Sequence, residues 1–309
     1  MEVTNGVLVG RDGWLFLSGG ANDPSAYLRG DQKFGRRLVS RWCERLAARE
    51  SALAGIAYLH LVAPNKETVY YEEAGCGSRH AGRGPLGALF GRASRGERAM
   101  LGRLVVDPRE HFAREKAGRL LYWKTDSHWT PWGCFAAYEL ICARLGAEPR
   151  RDMLQRPFRE VERPMDLGGK LSPPLTETVR FYRFAQDARR VAANEIVEFK
   201  ERTHRENDLG LHIGSSVVFE NPSYTDPRRL VLFGDSFSEY RAALLTGMLA
   251  ETFREVHFVW SARVDFGYVR RCAPDIVVTE IVERFMPRVP DDEFSLEEYV
   301  AAKMREVES

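Results

Sequence analysis

Four short apolar runs, separated by stretches of amphipathic spacing, constrain this chain more than any other feature. They are IAYLHLVAP at 56–64, RRLVLF at 228–233, EVHFVW at 255–260 and DIVVTEI at 275–281. Each is too short for an ordinary helix and rich in β-branched or aromatic residues, so each reads as a strand buried on both faces. The intervening segments carry helical signals. Residues 31–54 set Phe34, Leu38, Trp42, Leu46 and Leu53 at roughly helical spacing behind Asp31 as a cap. PWGCFAAYELICARLG, at 131–146, has Pro at its start, Gly at its end and an apolar residue every three or four positions. Further helices are expected near 107–117, 237–251 and 292–306, short strands near 103–106 and 119–123, and two extended pieces around the Asp-Gly turn of 7–17.

Strands alternating with helices imply an α/β fold with a mostly parallel central sheet covered on both faces. From about 150 to 225 the texture changes to prolines, glycines and charges around short β-prone runs, which reads as an irregular, β-rich insertion within one domain spanning 1–309. With 45 basic and 44 acidic residues the net charge is +1, so no global field draws in nucleic acid or an anionic membrane. The cysteines, Cys43, Cys76, Cys134, Cys142 and Cys272, show no C-x-x-C spacing, which argues against a zinc ribbon or disulfide framework and suits a reducing compartment. No apolar stretch approaches the roughly 20 residues that span a bilayer, and the first residues lack the pattern of a secretory signal. As written the sequence reads as cytoplasmic; removal of a signal would make it periplasmic.

In such folds ligands gather at the carboxyl ends of strands. LFGDSFSEY, at 232–240, places Ser236 there, where backbone N–H groups of a following helix would face an anion forming beside its hydroxyl. Gly234 and Asp235 would line the same oxyanion or substrate side. Gly, Asp and Ser are also ordinary turn residues. A nucleophilic serine needs a base, and the histidine nearest in sequence, His257, lies on the next strand. YWKTDSHWTPWG, at 122–133, supplies a better one: Asp126 and His128 are two apart, so in an extended segment both side chains project to one side. A carboxylate beside an imidazole fixes its tautomer and stabilises the imidazolium. The alternative is that Asp126 caps a turn and His128 packs against Trp129 or Trp132. Metal binding is not expected, because no further ligand pattern completes the pair. His60, His80, His111, His204, His212 and His257 read as structural or surface residues.

GRDGWLFL at 10–17, PNKETVY at 64–70, KTDSHWTPWG at 124–133 and LFGDSFS at 232–238, in that order, resemble the SGNH-hydrolase-like domain of the alginate O-acetyltransferase family, the DHHW group. The resemblance implies a three-layer α/β/α domain in which Ser236 is the nucleophile, His128 the base and acid, and Asp126 the orienting group. It further implies an acetyl donor, either acetyl-CoA or an acetylated membrane relay partner, and a saccharide or polysaccharide acceptor, with no bound cofactor. Hydrolysis of an acetyl ester by the same triad, and a non-catalytic saccharide-binding scaffold, are the alternatives. Lys66 is a candidate for binding a carboxylate or acyl carbonyl, with a solvated loop lysine as the alternative. Arg263 and Tyr268 are candidates for the rim, and Glu283 and Arg284 are expected to pair locally. Trp129, Trp132 and Trp260 suit either a sugar-stacking surface or, preferably, the core.

Overall fold

The computed structural model describes residues 2–20, 22–77 and 82–308; His80 lies outside them. Three short strands, β1 (Glu2–Thr4), β2 (Val7–Val9) and β3 (Leu15–Leu17), form an N-terminal antiparallel meander. Asp12 and Gly13 both take positive φ (48° and 80°) between β2 and β3, as an Asp-Gly turn requires. Next come β4 (Ala57–Ala63), β5 (Val105–Val106), β6 (Phe158–Pro164), β7 (Thr176–Tyr182), β8 (Arg189–Ala193), β9 (Ser216–Glu220), β10 (Asp226–Gly234), β11 (Phe253–Trp260) and β12 (Ile276–Val282).

Seven strands make the central sheet, in the order β5-β4-β12-β10-β11-β9-β8. The first five are mutually parallel, while β9 adds antiparallel to β11 and β8 antiparallel to β9. The strand alternation divides the core. Leu230, Leu232, Val256 and Phe258 pack on one face with helix Pro131–Leu145 and helix Leu245–Thr252. Val231, Phe233, Val259 and Val277 pack on the other with helix Arg36–Ala52 and helix Leu296–Glu308. This is a three-layer α/β/α arrangement with a mixed, mostly parallel sheet. None of the described helices is long and apolar enough to cross a membrane.

The β-rich stretch from 150 to 225 divides into two parts. β6 and β7 form a separate two-stranded ribbon, whereas β8, helix Glu195–Arg202 and β9 extend the central sheet itself. Three local expectations fail. The helix expected behind Asp31 as a cap runs Arg36–Ala52, with Gly35 at its N-cap. Residues 119–123 form no sheet strand, only the single bridge Tyr122 to Trp129. The helix expected from 237 begins at Leu245. Glu239 adopts φ +62°, and its carboxylate accepts from the N–H of Tyr240 at 3.0 Å. The Asp235 carboxylate accepts from Phe237 N at 2.9 Å. Such local side-chain acceptors hold a turn where a helical ladder would otherwise start.

Candidate active site

Two loops meet above the carboxyl ends of β10 and β12. One is the turn after β10, which carries Ser236. The other, 123–130, leads into helix Pro131–Leu145, whose N-cap Thr130 accepts from Gly133 N at 3.2 Å. His128 Nε2 lies 2.9 Å from Ser236 Oγ, and His128 Nδ1 lies 2.7 Å from Asp126 Oδ1. The same Asp126 oxygen accepts from the His128 backbone N–H at 2.7 Å. The two loops are also tied directly: Trp129 Nε1 donates to Phe237 O at 3.1 Å, and the Phe237 ring lies 5.0 Å from the His128 ring. Trp129 is buried at 1% exposure, so it is a core residue that joins the loops rather than a sugar platform.

Electrostatics favour a charged Asp126 and a basic His128. Burial raises the Asp126 pKa, but His128 and the hydrogen bonds from it outweigh burial and bring it to about 2. Burial depresses the His128 pKa, and Asp126 more than restores it, leaving the imidazole more basic than usual. Ser236 is half-buried.

Lys66 does not face a ligand, nor is it a solvated loop lysine. It is 1% exposed, and its Nζ donates to the carbonyls of Trp123 (3.0 Å), Lys124 (3.1 Å) and Asp126 (2.6 Å). The rings of Phe16 and Trp14, at 5.2 and 5.7 Å, flank the ammonium. Burial pushes its pKa down to about 8, against the pull of Glu67, Asp126, Asp166 and Glu177. Those carbonyls belong to a loop with no ladder of its own, and a buried cation satisfies all three. Arg263 and Tyr268 also lie away from the triad. The Arg263 guanidinium stacks 4.6 Å over Phe294 and lies 3.6 Å from Asp291. Tyr268 OH lies 2.8 Å from His257 Nδ1, against the flank of β11. Both follow β11 in sequence, but packing on the helical layer turns them from the strand ends.

Asp235 is directed inward. Its Oδ1 and Oδ2 accept from Phe237 N and Val282 N at 2.9 and 2.8 Å, and its own N–H donates to Glu280 Oε2 at 2.9 Å. Ser238 N and Glu239 N both donate to Asp235 O. Of the backbone N–H groups from 235 to 239, that of Ser236 alone makes no hydrogen bond among the described residues. Gly234 is needed for close approach. A Cβ there would lie 2.6 Å from Ser238 Oγ and 3.0 Å from Glu280 Oε2. Gly234→Ala is expected to cost about 1–3 kcal/mol and to slow acylation of Ser236. A wild-type midpoint in denaturant together with wild-type acylation would contradict this.

Four acidic residues hold the site in roles the sequence did not assign to them. Glu177 accepts from Lys124 N, Thr125 N and Thr125 Oγ1, and Asp166 accepts from Ser127 N and Ser127 Oγ. Both come from the β6–β7 segment, where charges are frequent and spacing says nothing. Glu283 does not pair with Arg284; it accepts from Asn65 N, Leu86 N and Thr68 Oγ1. Glu280 is the one with a usable hint, an acid inside an apolar strand run. Its pKa is pushed well up by burial and then by Asp235, and its Oε2 accepts from Asp235 N and Ser238 Oγ behind the serine turn.

Asp126, His128 and Asp166 each offer one ligand atom, all within 4.8 Å of one another. Asp166 is the third donor that the sequence did not supply. However, both Asp166 oxygens accept from Ser127, and His128 Nδ1 is committed to Asp126, so the set fits a hydrogen-bonded array better than a cation.

Comparison with known proteins gives a consistent result. The family model described as the SGNH hydrolase-like domain of acetyltransferase AlgX matches residues 7–266. A DHHW family protein from Eubacterium siraeum is similar in structure, with a TM-score of 0.61 at 14% identity over 96% of each chain. PatB1 of Bacillus cereus gives 0.59 at 14% identity, over 94% of this chain and 99% of that one. The O-acetyltransferase domain of Pseudomonas putida AlgJ gives 0.50 at 16% identity, over 97% and 99%. At these identities the likeness establishes the fold alone. No curated protein matches the chain in sequence.

Proposed function

Because the chain belongs to the SGNH hydrolase-like acetyltransferase family, we propose that it is a serine-dependent O-acetyltransferase acting on a saccharide hydroxyl. The observation that carries this reading is the unbroken line from Asp126 through His128 to Ser236, at 2.7 and 2.9 Å. His128 Nε2 takes the Ser236 proton as Oγ attacks the acetyl carbonyl. The leaving group departs with that proton, and an acetyl-serine remains. His128 then deprotonates the acceptor hydroxyl, which attacks the acetyl-serine and regenerates Ser236. Asp126 holds the tautomer and offsets the imidazolium charge. The donor is acetyl-CoA or an acetylated relay partner, and the acceptor a polymer of the kind the family modifies.

Hydrolysis is a second reading, favoured by the 28% exposure of the His128 side chain, which lets water reach the base. Incubation with 4-nitrophenyl acetate, with and without oligosaccharide, separates the two. Acetylated sugar that depends on the enzyme supports transfer, and acetate alone supports hydrolysis. Intact-mass analysis without acceptor is expected to find one acetyl group on Ser236; failure to acetylate that residue under any donor would remove the mechanism.

The raised pKa of His128 sets a pH dependence. The imidazole must be neutral to accept a proton, so activity rises with pH, and its acid limb lies above the roughly 6.5 of an unperturbed histidine. Asp126→Asn removes the carboxylate, and the limb then moves to lower pH while the maximal rate falls by about 10⁴. A wild-type limb at or below the ordinary histidine value would count against this assignment.

A further inference from the structure

We infer that Arg284 is the second hydrogen-bond donor to the oxyanion that forms when Ser236 attacks an acetyl carbonyl. The inference rests on the serine reaction proposed above and adds a residue to it. An oxyanion site needs two or more donors fixed before the charge develops. The serine turn can offer one. The N–H groups of Asp235, Phe237, Ser238 and Glu239 are consumed within the turn and by Glu280, and only that of Ser236 is left over among the described residues. The helix that would have supplied more starts at Leu245, too far along the chain.

Arg284 is placed to make up the deficit. It follows β12, the strand beside β10, and Val282 N is bonded to the Asp235 carboxylate next to Ser236. Its residue exposure is 8%, yet its guanidinium makes no hydrogen bond and no ion pair among the described residues. None of its nitrogens is sealed from solvent. The guanidinium lies 5.3 Å over the Phe237 ring, the ring that also contacts His128. Its charge opposes protonation of His128 and favours ionisation of Asp235, as expected of a cation at this spot.

A mostly buried arginine with no partner gives up part of its hydration, and here the backbone beneath it is held firmly. Glu283 takes three donors, and Arg284 N donates to Asn65 Oδ1 at 3.0 Å. Such a rigidly mounted, unpaired cation suits a charge that exists only during the reaction. In the step itself, Ser236 Oγ bonds to the acetyl carbon and its proton passes to His128 Nε2. The carbonyl π pair moves onto oxygen, which is held by Ser236 N–H and the Arg284 guanidinium. Return of that pair expels the leaving group, which takes the proton from His128.

The test uses the full chain and 4-nitrophenyl acetate, following acetylation of Ser236 by intact mass and nitrophenol release. Arg284→Ala is run beside Arg284→Met, which keeps apolar packing on Phe237 and Phe285. Acylation in both is expected to fall by about 10² to 10³ in kcat, with KM nearly unchanged and with partial rescue by added guanidinium. Acylation of either folded variant at the wild-type rate, or a loss confined to KM, overturns the assignment of Arg284 alone. Absence of any acetyl adduct on wild-type Ser236 overturns it together with the serine reaction.

Discussion

Ser236→Ala is expected to give a folded protein that forms no acetyl adduct and turns over at least about 10⁴-fold more slowly than wild type. The effect on stability is small because Ser236 Oγ has one partner among the described residues, His128 Nε2, and a half-buried setting. Losing one such bond costs on the order of 1 kcal/mol. The effect on rate is large because the other members of the array act only through this oxygen. His128→Ala is expected to be nearly as damaging, and the double variant scarcely worse than either, since parts of one proton-transfer unit are not additive. Burst kinetics with 4-nitrophenyl acetate and peptide mapping of the adduct provide the check. Acetylation at a different residue, or a Ser236→Ala enzyme that still transfers acetyl groups at wild-type rate, would end the proposed mechanism.

The second large effect belongs to Lys66, which never touches the reacting atoms. Lys66→Met keeps most of the volume and removes the ammonium, leaving the carbonyls of Trp123 and Asp126 without their donor, while that of Lys124 keeps Leu15 N at 2.9 Å. Unsatisfied buried acceptors cost about 1–3 kcal/mol each, so for these two a loss of roughly 2–4 kcal/mol is expected after local relaxation. Activity is expected to fall as well, by about 10², because a shift near 1 Å in the Asp126–His128 segment spoils attack geometry. The two losses have different signatures. Chemical denaturation reads the first, and the acylation rate of the folded fraction reads the second. Retention of both at wild-type level would mean that the loop is held without this lysine, by Glu177 and Asp166 on its other side.

The fold was largely legible because its signals are local. RRLVLF, EVHFVW and DIVVTEI became adjacent strands β10, β11 and β12, and the Pro-to-Gly span of 131–146 became a helix closed by Gly146 at φ +65°. The two-residue spacing of Asp126 and His128 and the strand-end position of Ser236 were legible for the same reason. Misreadings arose where side chains compete with the backbone. Asp235 and Glu239 convert an expected helix start into a turn, and nothing in apolar periodicity records that competition.

The amino-acid order by itself determined which residues can form strands, which helices can cover them, and which hydroxyl, imidazole and carboxylate stand at loop positions. Tertiary structure alone decided which of those loops meet. It also decided that Lys66 supports a loop instead of a ligand, that Glu177 and Asp166 brace the histidine segment, and that the Arg284 guanidinium lies over Phe237, unpaired among the described residues. The physical reason is range: periodicity reports a residue's neighbours within a turn or two, whereas a buried charge is defined by partners such as Asn65 to Glu283, 218 positions apart, which only the closed chain brings within reach.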